Sequence, residues 1–249
     1  MKKLLQLGLT LIFVCITMAW VCTAVHAQTI DEIITKYHES MGGLDKLKAL
    51  NSIKLSGKMP TPMGDFSVVI LKKSPNFTRT EMDIQGQLMV QAFDGETAWM
   101  INPMMGSTEP QKLEGEMSKS IIDQSEFEDP FIDYASKGHE VSLEGDEIIE
   151  GVVRFKIKMV MNKNNDEDER TQIYFLDKEL YLPLLVKTRI NDMEINTYMS
   201  DYQEVDQGLI VAFHIEIRMA GQPSQIISID SVEVNKDIND DLFRFPASE

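Results

Sequence analysis

The clearest structural signal in this chain is a ten-residue stretch, Asp94-Gly95-Glu96-Thr97-Ala98-Trp99-Met100-Ile101-Asn102-Pro103. Asp-Gly is a preferred pair in tight hairpin turns, so the stretch begins with a reversal of the chain. The side chains that follow alternate, which places Trp99 and Ile101 on one face of a strand. Asn102-Pro103 then ends the strand, because proline has no N–H to donate to a ladder. The stretch predicts a hairpin and one strand of an antiparallel sheet.

The same period of two residues extends from this stretch back to Ser52. Turn-forming residues separate the apolar runs, among them Pro60-Thr61-Pro62-Met63-Gly64 and Ser74-Pro75-Asn76. Runs this short, with turns between them, are typical of antiparallel hairpins. The predicted strands are 52–59, 65–73, 77–84, 87–94 and 97–102.

The alternation resumes after residue 138. In residues 209–219 the apolar side chains of Phe213, Ile215 and Ile217 alternate with polar ones. This pattern predicts a sheet with one buried face and one solvated face. A slip of phase between Ile229 and Val232 predicts a β-bulge. The predicted strands are 139–149, 152–161, 170–177, 181–190, 194–203, 209–219 and 226–234.

Two short helices are predicted before the first strand. Thr29 and Glu32 form a capping-box pattern, and apolar residues follow at helical spacing as far as Met41. Gly42-Gly43 ends this helix. A second helix is indicated by Leu44, Leu47 and Leu50.

Residues 103–138 interrupt the strand pattern. We expect a loop over 103–110, a helix over 114–124 and a short apolar segment over 127–134. This insert is too long for a hairpin turn, so we expect it to cover part of the sheet. The whole pattern predicts one α+β domain over residues 28–249, mainly β with a few helices. Its sheet is a strongly curved antiparallel sheet or an unclosed β-barrel, with the helices and the insert on its concave side.

The first 27 residues have the features of a secretory signal peptide. Lys2 and Lys3 precede a long apolar run, and Val25 and Ala27 place small side chains before a cleavage site. We expect cleavage after Ala27 and a periplasmic protein. An uncleaved membrane anchor is the alternative, because the run is long enough to span a bilayer. Both cysteines lie in this segment, so the mature chain has no thiol or disulfide chemistry.

The composition and motifs argue against several functions. A formal net charge of −16 repels phosphate backbones, so nucleic acid is not an expected partner. His38, His139 and His214 are expected on solvated faces, and their spacing does not match a metal site. The sequence has no motif of a serine nucleophile or a phosphate-binding loop. We therefore expect no catalytic residues, no metal and no cofactor, with a hydrolase of dispersed catalytic residues as the alternative.

Asparagine and aspartate alternate between Asn162 and Glu169. Alternating oxygen ligands resemble half of a calcium loop, but the central glycine and the closing glutamate are missing. We expect a solvated hairpin tip here, with a weak calcium site as the alternative.

Methionines are concentrated in the first half of the sheet. Flexible, polarizable thioethers suit an apolar surface that adapts to its ligand, although they also fill ordinary cores. The concentrated residues are Met59, Met63, Met82, Met89, Met100, Met104 and Met105.

The 94–103 stretch resembles the D-G-x-T-x-W-x-x-N-P segment of LolA, a family of periplasmic lipoprotein carriers. Ser74-Pro75-Asn76 is similar to the R-P-N turn of that family, with serine in place of arginine. Asn239–Phe243 and Pro246 resemble the C-terminal end of the wider LolA/LolB/RseB-like superfamily. Residues 30–55 resemble the opening of secreted outer-membrane lipoprotein-sorting proteins.

The resemblance implies an unclosed, helix-capped barrel whose apolar interior holds acyl chains. The ligand would be a lipid or an acylated lipoprotein in transport towards the outer membrane, with membrane-associated donor or acceptor proteins as further partners. Ser74 would lie at the rim, where the arginine of the family takes part in holding and releasing cargo. A sensor or protein-interaction module on the same fold is the alternative. The residues expected to line the cavity are Trp99, Ile101, Leu88, Met89, Met100, Met104 and Met105.

Overall fold

The structure is a computed structural model that describes residues 28–161, 170–190, 193–219 and 221–246. Within these ranges, thirteen strands form one antiparallel sheet. No helix in the described part of the chain is long and apolar enough to cross a membrane. The signal peptide predicted over 1–27 and the hairpin tip predicted at Asn162–Glu169 lie outside the described residues.

The first and the last strand of the chain are neighbours in the middle of the sheet. The order is β6-β5-β4-β3-β2-β1-β13-β12-β11-β10-β9-β8-β7, so β1 pairs with β13 and the sheet is open at β6 and β7. The first six strands are Ser52–Thr61, Gly64–Lys73, Phe77–Ile84, Gln87–Phe93, Ala98–Asn102 and Ser107–Lys112. Strands β7 to β13 are Glu140–Ile149, Val152–Met161, Arg170–Asp177, Pro183–Ile190, Met193–Val205, Leu209–Met219 and Gln222–Val234.

Different parts of the chain cover the two faces of the sheet. Helices α1 (Ile30–Ser40), α2 (Leu44–Lys48) and α3 (Gly115–Gln124) lie over one face, which we call the inner face. The C-terminal segment 235–246 packs on the opposite, outer face. The open, capped sheet of the prediction is therefore confirmed, with an additional cover on its outer side.

Both faces of the sheet bury apolar side chains. On the inner face, Ile33 of α1 packs in a cluster with Phe155 and Ile157 of β8. On the outer face, Phe243 is fully buried with Leu71. Because both faces bury apolar side chains, alternation alone does not tell the inner face from the outer one.

The predicted helices and strands are present, with shifts of at most four residues at their ends. The capping box at Thr29 is present, since its side chain accepts from the Glu32 N–H and the Glu32 carboxylate accepts from the Thr29 N–H. The predicted bulge lies at Asp230: Ser56 pairs with Ser231 and Gly57 with Ile229.

The loop predicted over 103–110 was wrong. The structure has a 3-10 turn at Pro103–Met105 and then strand β6, which pairs with β5 through Lys112 and Trp99. Ser107–Lys112 carries no apolar alternation and contains Pro110, so it does not look like a strand. It is tolerated because β6 is an edge strand, where a proline leaves no buried ladder partner unpaired.

Candidate functional site

A cavity of about 480 Å³ lies between the inner face of the sheet and its cap. This volume falls within the range of about 300–1,000 Å³ that is typical of small-molecule sites. The sheet contributes apolar side chains that include Ile53, Leu55, Met199, Val211 and Ile215. The cap contributes Tyr37, Met41, Leu47, Phe127 and Pro130.

Helix α1 is fixed to the sheet along its apolar face and at its C-terminal end. Its apolar residues recur at helical spacing, which buries Ile33 and Tyr37 against the sheet. At its C-terminal end the Met41 carbonyl accepts from the Ile210 N–H at 3.1 Å. Gly42 follows with φ +113°, and a Cβ there would lie 2.4 Å from the Gly208 carbonyl oxygen. Only glycine allows this close approach, so the Gly42-Gly43 stop also positions the cap.

The insert supplies the second part of the cap, as predicted. Phe131 and Ile132 are fully buried and anchor the segment. The Phe131 ring lies 5.1 Å from the Tyr37 ring and 4.7 Å from the Tyr174 ring, measured between centroids. The residues immediately before this anchor, 127–130, form part of the cavity wall.

A buried polar cluster joins the insert to α1 beside the cavity. The Tyr37 hydroxyl donates to Asp129 Oδ2, and the Phe131 N–H donates to Asp129 Oδ1 at 2.9 Å. Burial raises the pKa of the Asp129 carboxyl, and it also raises the pKa of the Tyr37 hydroxyl. His38 Nε2 lies 3.9 Å from Asp129 Oδ1. Burial lowers the pKa of His38, against the attraction of Asp129.

The prediction that His38 lies on the solvated face of its helix is wrong. The structure leaves His38 only 7% exposed. The insert covers the side of α1 that carries it, and the helix pattern does not show this distant contact. The part of the chain that the structure describes contains no group of three or more His, Cys, Asp or Glu side chains that could hold a metal.

The buried Asp129 carboxyl makes a testable contribution to the pH dependence of stability. Because its pKa is raised in the folded state, the folded protein holds this proton more tightly than the unfolded chain does. The wild type therefore loses stability as pH rises from about 4, the ordinary pKa of aspartate, to the raised value. We expect the Tm of the wild type minus the Tm of Asp129→Asn to fall between pH 4 and pH 8. A change of 1 kcal/mol moves Tm by about 2–4 °C in a protein of this size.

Asp133→Asn is the matched control, with the opposite sign. Asp133 is exposed, and its hydrogen bond from Lys48 lowers its pKa. Its stabilising contribution is present above about pH 4 and is lost as pH falls through the lowered pKa. The difference in Tm between wild type and this variant should therefore rise slightly with pH. The same slope in both variants would contradict the burial of Asp129.

The mouth of the cavity is marked by the lining residues that remain exposed. These are Lys48, Asn51, Ser74 and Glu128. The structure thus places Ser74, which the sequence put at a rim, at the edge of this cavity. The Lys48 ammonium lies 2.8 Å from the Asp133 carboxylate, and the Glu128 carboxylate lies 2.6 Å from the Lys137 ammonium. Both charges at the mouth are therefore already paired within the protein.

The other residues expected to line a cavity are not among the lining residues of this one. Trp99 is 1% exposed on the outer face, where its indole N–H donates to the Phe243 carbonyl at 2.7 Å. Ile101 packs in the same cluster as Trp99. Leu88 lies on the same face by alternation but near a hairpin tip, and is 47% exposed.

The methionines of the predicted site divide into two groups. Met89 and Met100 are on the inner face, as pairing from Leu55 through Ile70, Thr80 and Gln91 to Met100 shows. Met100 on β5 lies four strands away from Leu55 on β1, a distance of about 19 Å across the sheet. Met104 and Met105 are on the β5–β6 turn and are 63% and 73% exposed.

Comparisons with known proteins support the fold. No family model matches the chain, and no curated protein matches it. Solved structures do match, among them a domain from Vibrio parahaemolyticus assigned to outer membrane lipoprotein sorting. It shares 13% identity with a TM-score of 0.55, over 80% of this chain and 93% of the other.

Two further structures match over more of the chain. A LolA superfamily protein from Nitrosomonas europaea shares 11% identity with a TM-score of 0.56, over 88% of this chain and 98% of the other. A DUF1329 family protein from Desulfovibrio piger shares 10% identity with a TM-score of 0.58, over the same shares of the two chains. The chain therefore has the LolA-like fold: an open, curved antiparallel sheet with a helical cap on its inner face.

Proposed function

We propose that the protein is a non-enzymatic carrier that holds an acyl chain of a lipid or lipoprotein in the capped cavity. One observation carries this proposal: the cavity has apolar walls, and the ionisable side chains in them are bonded to other protein groups. Tyr174 donates its hydroxyl to Gln172 Oε1 at 2.6 Å, and Tyr202 donates to the Pro183 carbonyl at 2.6 Å. Asp129 accepts a hydrogen bond from the Tyr37 hydroxyl. Such walls suit a hydrocarbon chain better than a polar metabolite.

The proposed mechanism is exclusion of water from the chain. Each methylene that moves from water into the cavity contributes about 0.8 kcal/mol. The proposal requires no bond-making step and no cofactor. The LolA-like fold supports it, because one structure with that fold is assigned to outer membrane lipoprotein sorting. We extend the proposal to a periplasmic role in transport towards the outer membrane, with membrane-associated donor or acceptor proteins as partners.

The test is mass spectrometry of organic extracts from the purified protein. We expect acyl lipids or acylated peptides at close to one molecule per chain, and a protein that rebinds a fluorescent fatty-acyl probe once it is stripped. Lipid below that ratio, together with no saturable binding by the stripped and folded protein, would contradict the proposal.

A second candidate function, a protein-interaction or sensor module, is favoured by the exposed hairpin tips. Met63 is 66% exposed on the β1–β2 turn, and Met104 and Met105 are exposed on the β5–β6 turn. Because alternate turns of an antiparallel sheet lie at the same end, these side chains share one rim. A stable protein partner, recovered without lipid in the cavity, would favour this function.

The periplasmic location predicts a defined N-terminus. Lys2, Lys3 and the small residues at Val25 and Ala27 indicate cleavage after Ala27. We expect an intact mass that begins at Gln28 for protein recovered from the periplasm. A mass that includes residues 1–27, recovered with the membrane fraction, would indicate an anchored protein instead.

A further inference from the structure

The polar groups around the mouth of the cavity indicate which head group a bound ligand has. This step rests on the proposed function, because it assumes that an acyl chain occupies the cavity. An acyl chain inside leaves its head group near the exposed lining residues Lys48, Asn51, Ser74 and Glu128. The charge available at these residues then decides which head groups are accepted.

Among the described residues that line the mouth, no cationic side chain is free of an ion pair. Among the described lining residues, Lys48 is the one cationic side chain, and its ammonium is bound to Asp133 at 2.8 Å. The Glu128 carboxylate pairs with Lys137 at 2.6 Å. An anionic head group would have to compete with Asp133 or Glu128 for these ammonium groups.

The two lysines beside Ser74 are also engaged elsewhere. Lys72 donates to the Glu126 carbonyl at 3.0 Å, and burial lowers the pKa of its ammonium. Lys73 donates to Asp240 Oδ1 at 2.6 Å and to the Ile238 carbonyl at 2.8 Å, on the outer face. Neither lysine therefore supplies a free cation at the mouth.

The negative charge of the protein adds a further penalty for anions. The chain as a whole carries a formal net charge of −16, which repels anions from the surface at low ionic strength. The exposed amide of Asn51 and hydroxyl of Ser74 are uncharged partners suited to hydroxyl, ester or amide groups.

We infer that the cavity selects acyl ligands whose polar end is uncharged, such as an acylglycerol or an N-acyl amide. It discriminates against ligands that end in a free carboxylate or phosphate. Selection comes from the mouth, since the walls recognise the hydrocarbon chain alone.

The test compares two ligands that share one chain. Monododecanoylglycerol and dodecanoate compete at pH 8 for stripped protein loaded with a neutral fluorescent acyl probe. We expect dodecanoate to bind at least about tenfold more weakly, and the gap to narrow as salt screens the negative charges. Equal or tighter binding of dodecanoate would overturn the inference and leave the proposed function standing. Binding of neither ligand to the folded protein would overturn both.

Variants of Ser74 add an independent readout. Ser74 is exposed on a turn, so Ser74→Arg places a guanidinium at the mouth with little cost to folding. We expect Ser74→Arg to strengthen dodecanoate binding at least about threefold and to leave monododecanoylglycerol nearly unchanged. Ser74→Gln is the control of similar reach without charge, and it should leave the ratio of the two affinities unchanged. A Ser74→Arg variant with the wild-type ratio would contradict the role of the mouth.

Discussion

Replacing Val211 by tryptophan should weaken acyl-chain binding by at least about tenfold while the protein remains folded. Val211 lines the cavity, and strand alternation places its side chain on the same face as those of Phe213 and Ile215, which pack in the inner-face cluster. The larger indole would occupy space that otherwise holds methylenes of the ligand. Displacing two methylenes costs about 1.6 kcal/mol, which is close to a factor of ten in affinity.

Val153→Trp is the matched control for this experiment. Val153 is 45% exposed on β8 and is not among the lining residues. The same change of side chain there should leave affinity within about twofold, because no ligand contact is lost. Binding is measured by titration of a fluorescent acyl probe, and folding by circular dichroism and Tm. Unchanged affinity in the folded Val211→Trp variant would show that the chain binds elsewhere.

The strands were predictable because their signal is local. In β12, apolar and polar side chains alternate along most of the strand, and the structure gives Leu209–Met219 where the sequence predicted 209–219. The capping box at Thr29 likewise lies within four consecutive residues. Strand β6 was missed because an edge strand buries too little to require alternation.

The location of the site was less predictable because it depends on contacts between distant parts of the chain. Trp99 was expected in a cavity wall, but its indole N–H donates a hydrogen bond to the carbonyl of Phe243, 144 residues away. The cap over the cavity on the inner face joins Tyr37 to Asp129 across 92 residues. Alternation identifies two faces of a strand, but the segment that covers each face is determined by tertiary packing. Ser74 is one of the exposed lining residues, and its turn position follows from local sequence.

The C-terminal segment provides the second large effect: Phe243→Ala should reduce the free energy of unfolding by about 3–5 kcal/mol. The Phe243 ring is fully buried and lies 5.4 Å from the Phe77 ring, measured between centroids. It belongs to the cluster that holds Leu71 and Ile238 on the outer face. Its removal leaves a cavity beneath the segment and loosens the carbonyl that accepts from Trp99.

Leu242→Ala is the control within the same turn. Leu242 is 42% exposed, and the bond from Arg79 goes to its backbone carbonyl, which the substitution keeps. We expect a loss of less than about 1 kcal/mol for this variant. Urea unfolding followed by Trp99 fluorescence measures both, because this indole is the one tryptophan after residue 27 and touches the segment. Equal losses in the two variants would mean that the segment is not anchored through Phe243. A large loss confined to Phe243→Ala, with acyl-probe affinity retained, would establish that the outer cover stabilises the sheet independently of the cavity on the inner face.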